Sequence, residues 1–340
     1  MKFTDFWYVV AESRELTADV VLPRKVLGEW LAVFRGADGK PAALQDRCKH
    51  RNGRLSGGTV VNGCLACPYH GWVYDGAGQV VAVPAEGAAF KSTAGRRGRR
   101  FVTCEQDGLV YVRLADEPTA AVEPFKMPHF GEAGWKTVRL QNKIANDVTN
   151  CAENFIDIPH TVFVHPGIFR KPRAQKITAS VRRAAGEVHA RYGGETDNLG
   201  WFKWFLNPSG KEIEHVDSFY MPNVTQVTYK FGPRRVFIIT SQSVPAADDE
   251  TVVYTDLTFD YGIWNLFAPP IVRWQSQKVI DQDVVALASQ QEVIKKYGRD
   301  FSNTSADVIH VFVESIRDAI ASGEDPRTLP EREVEVELLV

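Results

Sequence analysis

The sequence predicts an α+β fold in two parts, in which an all-antiparallel β domain precedes a domain with an antiparallel sheet covered by helices. Residues 6–115 read as short strands separated by turns that contain Gly, Asp and Pro. Near the end of the chain, helical patterns run from about 272 to 296 and from about 304 to 322. Three strand-like segments between these parts indicate an antiparallel meander: 225–231, 235–244 and 251–260.

The chain of 340 residues is long enough for two hydrophobic cores. A stretch that contains Pro and Ala separates the two patterns, so we assign 1–117 to the first domain, 118–134 to a linker and 135–340 to the second domain. Helical character is predicted around 143–163, although Pro159 must interrupt or kink that helix.

The two late helices have predicted inward faces, because apolar residues recur at helical spacing. In the segment 272–296 these are Val279, Val284, Leu287 and Val293. In the segment 304–322 they are Ile309, Phe312, Ile316 and Ile320, and Asn303 or Thr304 is the expected cap.

Composition excludes several classes of partner. A net charge of −2 gives no reason to expect nucleic acid or an anionic membrane. No apolar run is long enough to span a bilayer, and the N-terminus lacks the apolar core of a signal peptide. The five cysteines are an odd number, which argues against a disulfide framework, so a cytoplasmic location is expected.

Two Cys–His pairs are the most informative feature of the first domain. Cys48 and His50 are followed, after sixteen residues, by Cys67 and His70. Two thiolates on one iron and two imidazoles on the other form the ligand set of a Rieske [2Fe–2S] centre. Because these four residues complete the set, we expect Cys64 to be an ordinary small buried residue.

Two other interpretations of these pairs stay open. The same four side chains would also satisfy a tetrahedral zinc site. They could instead be unrelated core and surface residues.

The motifs 48–51, 55–56 and 67–72 resemble the N-terminal half of Rieske non-haem iron oxygenases. More narrowly, they resemble the branch that includes vanillate and dicamba O-demethylases. Respiratory Rieske proteins usually carry one more cysteine in each loop, and neither loop has one here. The resemblance implies an N-terminal Rieske domain followed by a catalytic domain that holds a mononuclear iron.

A Rieske centre carries one electron and does no substrate chemistry, so a second site is needed. His160 and His165 lie five residues apart, and a distortion at Pro159 would let both imidazoles converge. Two histidines and one carboxylate on Fe(II) form a facial triad that leaves positions open for O₂ and substrate. Two histidines at this spacing are more often core or surface residues than metal ligands. The stretch 154–165, however, also resembles the N-x-x-D-x-x-H-x4-H iron motif of the family.

Residue types alone do not select the third ligand, since any acid on the late helix could serve. Asp281, Asp283 and Glu292 all lie there. In the family the carboxylate precedes a small apolar stretch, and Asp283 with the residues after it resembles this arrangement best. Asp281 and a solvated helix face remain the alternatives.

The resemblance also implies roles for two further residues. Asp157 would connect His160 to His70 of a neighbouring subunit in a head-to-tail homotrimer, where a carboxylate between two imidazoles gives a polar path for an electron. Asn154 would lie near the iron without ligating it tightly. The alternative for Asp157 is a helix cap or a surface acid.

The chain shows neither a dinucleotide fingerprint nor a phosphate loop. Electrons must therefore come, ultimately from NAD(P)H, through a separate reductase or ferredoxin. The basic run 96–100 is either a solvated turn or a docking patch for such an acidic donor. The remaining histidines are taken as structural, and His310 is expected to be half-exposed: His129, His189, His215 and His310.

The resemblance implies a monooxygenase of aromatic catabolism that hydroxylates or oxidatively demethylates a small aromatic or heterocyclic substrate with O₂. A cluster of aromatic residues could line a flat pocket or belong to the core: Phe155, Trp201, Phe202, Trp204 and Phe205. Three alternatives remain: a ring cis-dihydroxylating dioxygenase, a Rieske electron carrier without oxygenase activity, and a zinc-binding module.

Overall fold

The structure is a computed structural model that describes residues 1–91, 95–119, 121–166, 176–193, 213–232 and 235–339. The chain divides into two compact units. The N-terminal unit comprises residues 2–126 with 245–248, and the C-terminal unit comprises residue 1, 127–244 and 249–340. The change after Lys126 falls inside the stretch that we assigned to a linker, and the domain bounds themselves stay a prediction.

The N-terminal unit consists of two antiparallel sheets. Its strands are β1 (Trp7–Glu12), β2 (Leu22–Val26), β3 (Glu29–Arg35), β4 (Pro41–Gln45), β5 (Thr59–Val61), β6 (Cys64–Ala66), β7 (Val73–Tyr74), β8 (Val80–Ala82), β9 (Arg100–Gln106) and β10 (Leu109–Arg113). The strand orders are β1-β10-β9-β4-β3-β2 and β5-β6-β7-β8. The predicted all-antiparallel first domain is therefore confirmed.

One buried cluster joins the larger sheet to the smaller one. Phe34 and Leu44 come from the larger sheet, and Leu65 and Tyr74 come from the smaller one; all four are fully buried. Cys48 and Cys67 belong to the same cluster. The two loops that carry these cysteines are therefore anchored in the hydrophobic core.

In the part of the C-terminal unit that the structure describes, the strands form one sheet that is accompanied by helices. Its elements are β11 (Lys136–Ile144), α1 (Val148–Ile156), α2 (His160–Val164), β12 (Lys176–Ala184), β13 (Glu187–Gly193), β14 (Glu214–Tyr220), β15 (Val224–Lys230), β16 (Val236–Ala247), β17 (Glu250–Asp260), α3 (Ala268–Tyr297), α4 (Val308–Ala321) and β18 (Arg332–Leu339). The eight strands lie in the order β11-β17-β16-β15-β14-β13-β12-β18. The predicted meander forms β15 to β17, within one or two residues of the expected bounds, except that β16 extends to Ala247.

Apolar packing holds helices α1 and α3 together at one edge of the sheet. Ile144 of β11, Cys151 of α1, Val253 of β17 and Leu287 of α3 form one buried cluster. Burial of this kind contributes about 1.5–3 kcal/mol for each large aliphatic side chain, so it fixes α1 and α3 relative to the edge of the sheet. Within the described ranges, no helix combines the length and the apolar composition that crossing a bilayer requires.

The prediction of a helix around 143–163 is wrong about where the helix begins and correct about the interruption at Pro159. Residues up to Ile144 belong to a strand that pairs with β17 along its whole length. The helix begins at Val148 because the Asp147 side chain accepts hydrogen bonds from the next backbone N–H groups. It ends at Ile156, and Pro159 precedes α2.

Three further predictions need correction. Val293 was predicted to face inward but is 55% exposed. The buried face of α3 includes Asp283 and Leu287, four residues apart, and Val293 lies on a different face of the helix. His310 is 4% exposed rather than half-exposed, since α4 also packs against α1. Cys64 is half-buried rather than buried. The predicted inward residues of α4 are all buried, and Thr304 caps the turn before that helix: Ile309, Phe312, Ile316 and Ile320.

Candidate metal centres

The two Cys–His loops have the same backbone construction. In each, the cysteine N–H donates to the carbonyl five residues later, and the N–H four residues later donates back to the cysteine carbonyl. These bonds are 2.8 and 2.9 Å in the loop from Cys48, and 2.8 and 3.0 Å in the loop from Cys67. The closing residues Asn52 and Gly71 both have positive φ, 57° and 68°. Asn and Gly are the residues that adopt this conformation most readily, so the sequence suits both turns.

The loops bury two thiols, leave the His50 imidazole half-buried and expose the His70 imidazole. Cys48 and Cys67 are 2% and 3% exposed. The rings of His50 and His70 lie edge to face with centroids 4.5 Å apart, and His70 is exposed. The four predicted residues are thus brought together on one pair of loops. Their arrangement fits a [2Fe–2S] group with its thiolate-bound iron buried and its imidazole-bound iron toward the surface.

Burial also sets the protonation of these groups. Burial raises the pKa of the Cys67 thiol, and burial with the charges of His70 and Arg51 lowers the pKa of His50. A neutral imidazole is the form that binds a metal, so the lowered pKa of His50 favours ligation. A thiol must lose its proton to bind, so the raised pKa of Cys67 opposes ligation until a metal replaces that proton.

Two aromatic residues support this centre: Trp72, which ends the motif 67–72, and Tyr74, which the sequence analysis did not identify. The Tyr74 hydroxyl lies 3.2 Å from Cys48 Sγ and accepts a 2.9 Å hydrogen bond from the Lys49 N–H. Because the oxygen accepts from Lys49, its own proton is available to the sulfur. Trp72 stacks on His50 with centroids 4.9 Å apart and parallel planes. The adjacency of Trp72 to the Cys67 loop is a sequence signal, but Tyr74 carries none.

The predicted basic run is partly neutralised. Arg96 forms a 2.7 Å ion pair with Glu86 and lies over the ring of Trp72, 5.5 Å from its centroid. Arg99 lies 3.6 Å from Glu29. The stretch is therefore not an isolated patch of positive charge.

The second site is built where α1 and α2 meet the middle of α3. His160 is the first residue of α2, and His165 follows the end of that helix with φ −117° and ψ 55°. This departure from helical geometry lets two histidines five residues apart point to one place. Asp283 is one of the few buried residues of α3.

The ligand atoms of His160, His165 and Asp283 all lie within 4.8 Å of one another. Asp283 Oδ1 is 3.0 Å from His165 Nε2 and 3.7 Å from His160 Nε2. This oxygen is buried and makes no hydrogen bond of acceptable geometry with the described residues. The donors therefore converge on a common point rather than on each other, as ligands of an absent cation would.

The structure separates the two candidate carboxylates. Asp281 is exposed and accepts a 2.8 Å hydrogen bond from Gln277, one turn earlier on the same face of α3. Asp283 is 4% exposed and faces the histidines. Glu292 is exposed.

Other side chains orient the two imidazoles. Asp157 Oδ2 lies 3.2 Å from His160 Nδ1 and accepts a 3.0 Å hydrogen bond from the His160 N–H. Gln282, which the sequence analysis missed, lies with its Oε1 2.8 Å from His165 Nδ1. Partners of this type fix the tautomer that presents Nε2 to a metal. Burial disfavours the charged form of His165, but the negative charge of Asp283 and the hydrogen bond to Gln282 outweigh burial and raise the pKa of His165.

Asn154 lies on the last turns of α1, and its side-chain oxygen is buried without a hydrogen-bond partner among the described residues. Phe155 is half-buried beside the cluster that joins α1 to α3. The other members of the predicted aromatic cluster lie outside the described residues: Trp201, Phe202, Trp204 and Phe205.

Comparison with known proteins identifies the families to which the two units are similar. Residues 6–103 match the Rieske [2Fe-2S] domain family, and residues 146–320, about half of the chain, match the vanillate O-demethylase oxygenase C-terminal domain family. The oxygenase component of dicamba O-demethylase from Stenotrophomonas maltophilia is 34% identical over 187 residues, which are 54% of either chain. Methylxanthine N1-demethylase NdmA from Pseudomonas putida is 34% identical over 203 residues, 56% of either chain. The matched region thus spans about half the length of these curated relatives.

Solved structures share the fold over nearly the whole chain. Dicamba monooxygenase bound to dicamba superposes with a TM-score of 0.79 at 25% identity, over 95% of this chain and 100% of the other. The caffeine complex of a Pseudomonas putida CBB5 NdmA variant gives 0.78 at 21% identity, over 94% and 91%.

The fold and the two candidate sites define the class of protein: a Rieske protein whose C-terminal unit brings two histidines and a carboxylate together. The chain belongs to the Rieske non-haem iron oxygenases whose catalytic domain is of the vanillate O-demethylase type. A [2Fe–2S] cluster and a mononuclear iron are the cofactors of this family, and the residues present fit both.

Proposed function

We propose that this chain is the terminal oxygenase component of a system that hydroxylates or oxidatively demethylates a small aromatic or heterocyclic substrate. One observation carries the proposal: a His–His–Asp triad with an unshared carboxylate oxygen occurs in the same chain as a Cys₂His₂ loop pair. The overall reaction joins substrate C–H, O₂, two electrons and two protons to give C–OH and water. When the carbon is an O- or N-methyl group, the hydroxylated carbon leaves as formaldehyde.

The residues of the chain prepare this reaction. His160, His165 and Asp283 would hold the iron on one side and leave the other side open. When bound there, iron supplies the binding and activation of O₂. Asp157 and Gln282 hold the rings. Asn154, on the last turns of α1, has a buried side-chain oxygen without a hydrogen-bond partner among the described residues and would offer a polar contact. The relatives that act on dicamba and on methylxanthines support a flat, methylated substrate.

Electrons would come from a separate reductase or ferredoxin. The ring of His70 is exposed, so a partner protein could approach this cluster ligand and exchange electrons with the cluster. We also propose the cytoplasm as its location, which the free state of all five cysteines supports.

A homotrimer in which Asp157 of one subunit meets His70 of the next would connect the two centres. Two features support this assembly. The Asp157 side chain is 30% exposed, so one of its faces is available to a partner. Charges also match: Arg47, Lys49 and Arg51 are exposed around the cluster, whereas Glu153 and Asp307 line the recess beside Asp157.

The test begins with the purified, metal-loaded protein. Iron and sulfide analysis should give three irons and two sulfides per chain, and the reduced cluster should show a Rieske EPR signal. With a reductase, O₂ uptake should depend on one member of a panel of methoxylated and N-methylated aromatics, with one product formed per O₂. A protein with the cluster but without the third iron would instead be an electron carrier, and a colourless zinc protein would remove the proposal.

The bridge has its own test. Asp157→Asn should keep both metals and the assembly but lower coupled turnover by about 10²-fold, because a neutral amide no longer orients both imidazoles. Asp281→Asn is the matched control and should turn over normally. Wild-type turnover in Asp157→Asn, or a monomer in light-scattering measurements, would contradict the bridge.

A further inference from the structure

Asn146 lies between the last residue of β11 and the first residues of α1, and it is fully buried. Its backbone carbonyl accepts a 2.7 Å hydrogen bond from the Thr251 hydroxyl of β17. Its side-chain Oδ1 accepts two hydrogen bonds of 2.8 Å, one from the Asp147 N–H and one from Nδ2 of Asn150 in the first turn of α1. Asn146 is therefore fixed both to the sheet and to the helix that leads to the two candidate histidine ligands.

The Nδ2 group of Asn146 reaches across to α3. It donates a 2.9 Å hydrogen bond to the backbone carbonyl of Leu287 and a 2.8 Å hydrogen bond to Oε1 of Gln290. Because the Leu287 carbonyl can only accept and the Asp147 N–H can only donate, the network fixes which end of the amide faces α3. Leu287 lies one helical turn after Asp283, so Asn146 contacts α3 about 6 Å along its axis from the candidate carboxylate ligand.

Apolar packing by itself does not fix the position of α3 along its own axis. The buried cluster that α3 shares with α1 and the sheet edge is held by hydrophobic contacts, which are non-directional. A hydrogen bond depends on both distance and angle, so it restricts the sliding of one element past another. Gln277 of α3 also donates a 2.7 Å hydrogen bond to Asn142 of β11, but this bond is only partly buried and water can replace it. The bond from Asn146 to the Leu287 carbonyl is buried, so its loss is not compensated in this way.

We infer that Asn146 is a positioning residue that sets the distance of Asp283 from His160 and His165, and thereby the fit of these three ligands to iron. This inference rests on the proposed oxygenase function, because it concerns the mononuclear iron site of that function. Metal–ligand distances vary by only about 0.2 Å in a well-formed site. The two histidines follow α1 in the chain, and Asp283 belongs to α3. A contact that holds these two helices in register therefore acts on the site through the helices rather than through a direct bond.

The experiment compares iron affinity with stability after substitution of two buried asparagines. Asn146→Ala removes the link to α3, and Asn223→Ala is the matched control. Asn223 is 2% exposed, and its Nδ2 also donates to a backbone carbonyl, that of Ser243 at 2.7 Å, but this bond joins the turn after β14 to β16 rather than α1 to α3. Both variants should lower the thermal unfolding midpoint by a few degrees, because each loses a buried hydrogen bond. Only Asn146→Ala should also lower the iron affinity, by about 10-fold.

The affinity is measured by competition with a chelator in protein that carries its cluster, so neither substrate nor turnover is needed. The temperature is one at which circular dichroism shows each variant to be folded. The nitrosyl adduct of the mononuclear iron should have an altered EPR signal in Asn146→Ala and the wild-type signal in Asn223→Ala, and the Rieske EPR signal should be unchanged in both. Gln290→Leu removes one partner of Nδ2 at a half-buried position, so it should fold as wild type and lower the iron affinity several-fold.

Iron affinities equal to that of the wild type in Asn146→Ala and Gln290→Leu would overturn the inference alone. An equal loss of affinity in Asn146→Ala and Asn223→Ala would also overturn it, because general destabilisation would then explain the loss. If Asn146→Ala does not fold, the affinity of Gln290→Leu decides the question by itself. A wild-type protein that binds no mononuclear iron would overturn the proposed function together with this role of Asn146.

Discussion

The Nδ1 atom of His165 donates a 2.8 Å hydrogen bond to the Oε1 of Gln282, the residue directly before Asp283. Because that oxygen only accepts, the ring proton of neutral His165 is on Nδ1, and Nε2 presents its lone pair to Asp283 Oδ1 at 3.0 Å. Two lone pairs at this distance repel each other, and a cation between them removes the repulsion. Gln282 therefore contacts Nδ1 of His165, and the next residue of α3, Asp283, lies beside Nε2 of the same ring.

Gln282→Leu is expected to weaken iron binding by about 10–100-fold, because the ring loses the partner that fixes its tautomer and orientation. The measurement is competition with a chelator, which reports iron affinity without turnover. Gln277→Leu is the control on the same helix, since Gln277 bonds Asn142 and Asp281 and contacts neither histidine. Equal iron affinities in the two variants would show that Gln282 has no such role.

Asp283→Ala should lose the mononuclear iron and keep the cluster, so that iron analysis falls from about three toward two atoms per chain. The matched substitution, Asp281→Ala, removes an exposed carboxylate two residues away and should keep all of the iron. Metal analysis combined with the EPR signal of a nitrosyl adduct distinguishes the two. Retention of the third iron in Asp283→Ala, with its loss in Asp281→Ala, would show that the other carboxylate is the ligand.

Tyr74→Phe should lower the reduction potential of the cluster, because a hydrogen bond to a ligand sulfur stabilises the more negative, reduced state. The Tyr74 hydroxyl lies 3.2 Å from Cys48 Sγ, and its removal leaves the aromatic ring in the core. A redox titration followed by EPR gives the potential directly. Tyr69→Phe is a suitable control, since Tyr69 is 65% exposed; a potential that moves equally in both variants would refute the specific contact.

The His310–Glu153 pair should stabilise the C-terminal unit more at low pH than at high pH. The pKa of His310 is raised in the folded state. Its contribution is therefore complete below the unfolded value of about 6.5 and is lost as pH rises through the higher folded value. Because the Glu153 side chain is 28% exposed, the ion pair is expected to contribute about 1 kcal/mol, so His310→Gln should lower the unfolding midpoint by a few degrees at pH 6.

At pH 9 the difference in midpoint between His310→Gln and wild type should shrink. Thermal unfolding of the holoprotein, followed by circular dichroism at both pH values, makes the comparison. A difference that is as large at pH 9 as at pH 6 would show that the charge of His310 does not stabilise the fold.

Local sequence carried much of this architecture. The Cys–His spacings and the turn residues Asn52 and Gly71 specify two similar loops, since the backbone conformation at each closing residue is a local property. The meander was predictable because turn residues separate its strands. In contrast, Lys143 and Ile144 fall within the predicted helix, and pairing with β17 makes them the end of a strand.

What sequence alone predicted about this protein is the identity of the candidate donor groups, because ligand chemistry depends on residue type and short spacing. Tertiary structure decided which carboxylate joins the histidines, since Asp281 and Asp283 differ only in the face of α3 that each occupies. It also decided the contacts of Tyr74, Gln282 and His310. Each of these side chains acts on a residue distant in the chain, and only packing of the core brings such partners within hydrogen-bond distance.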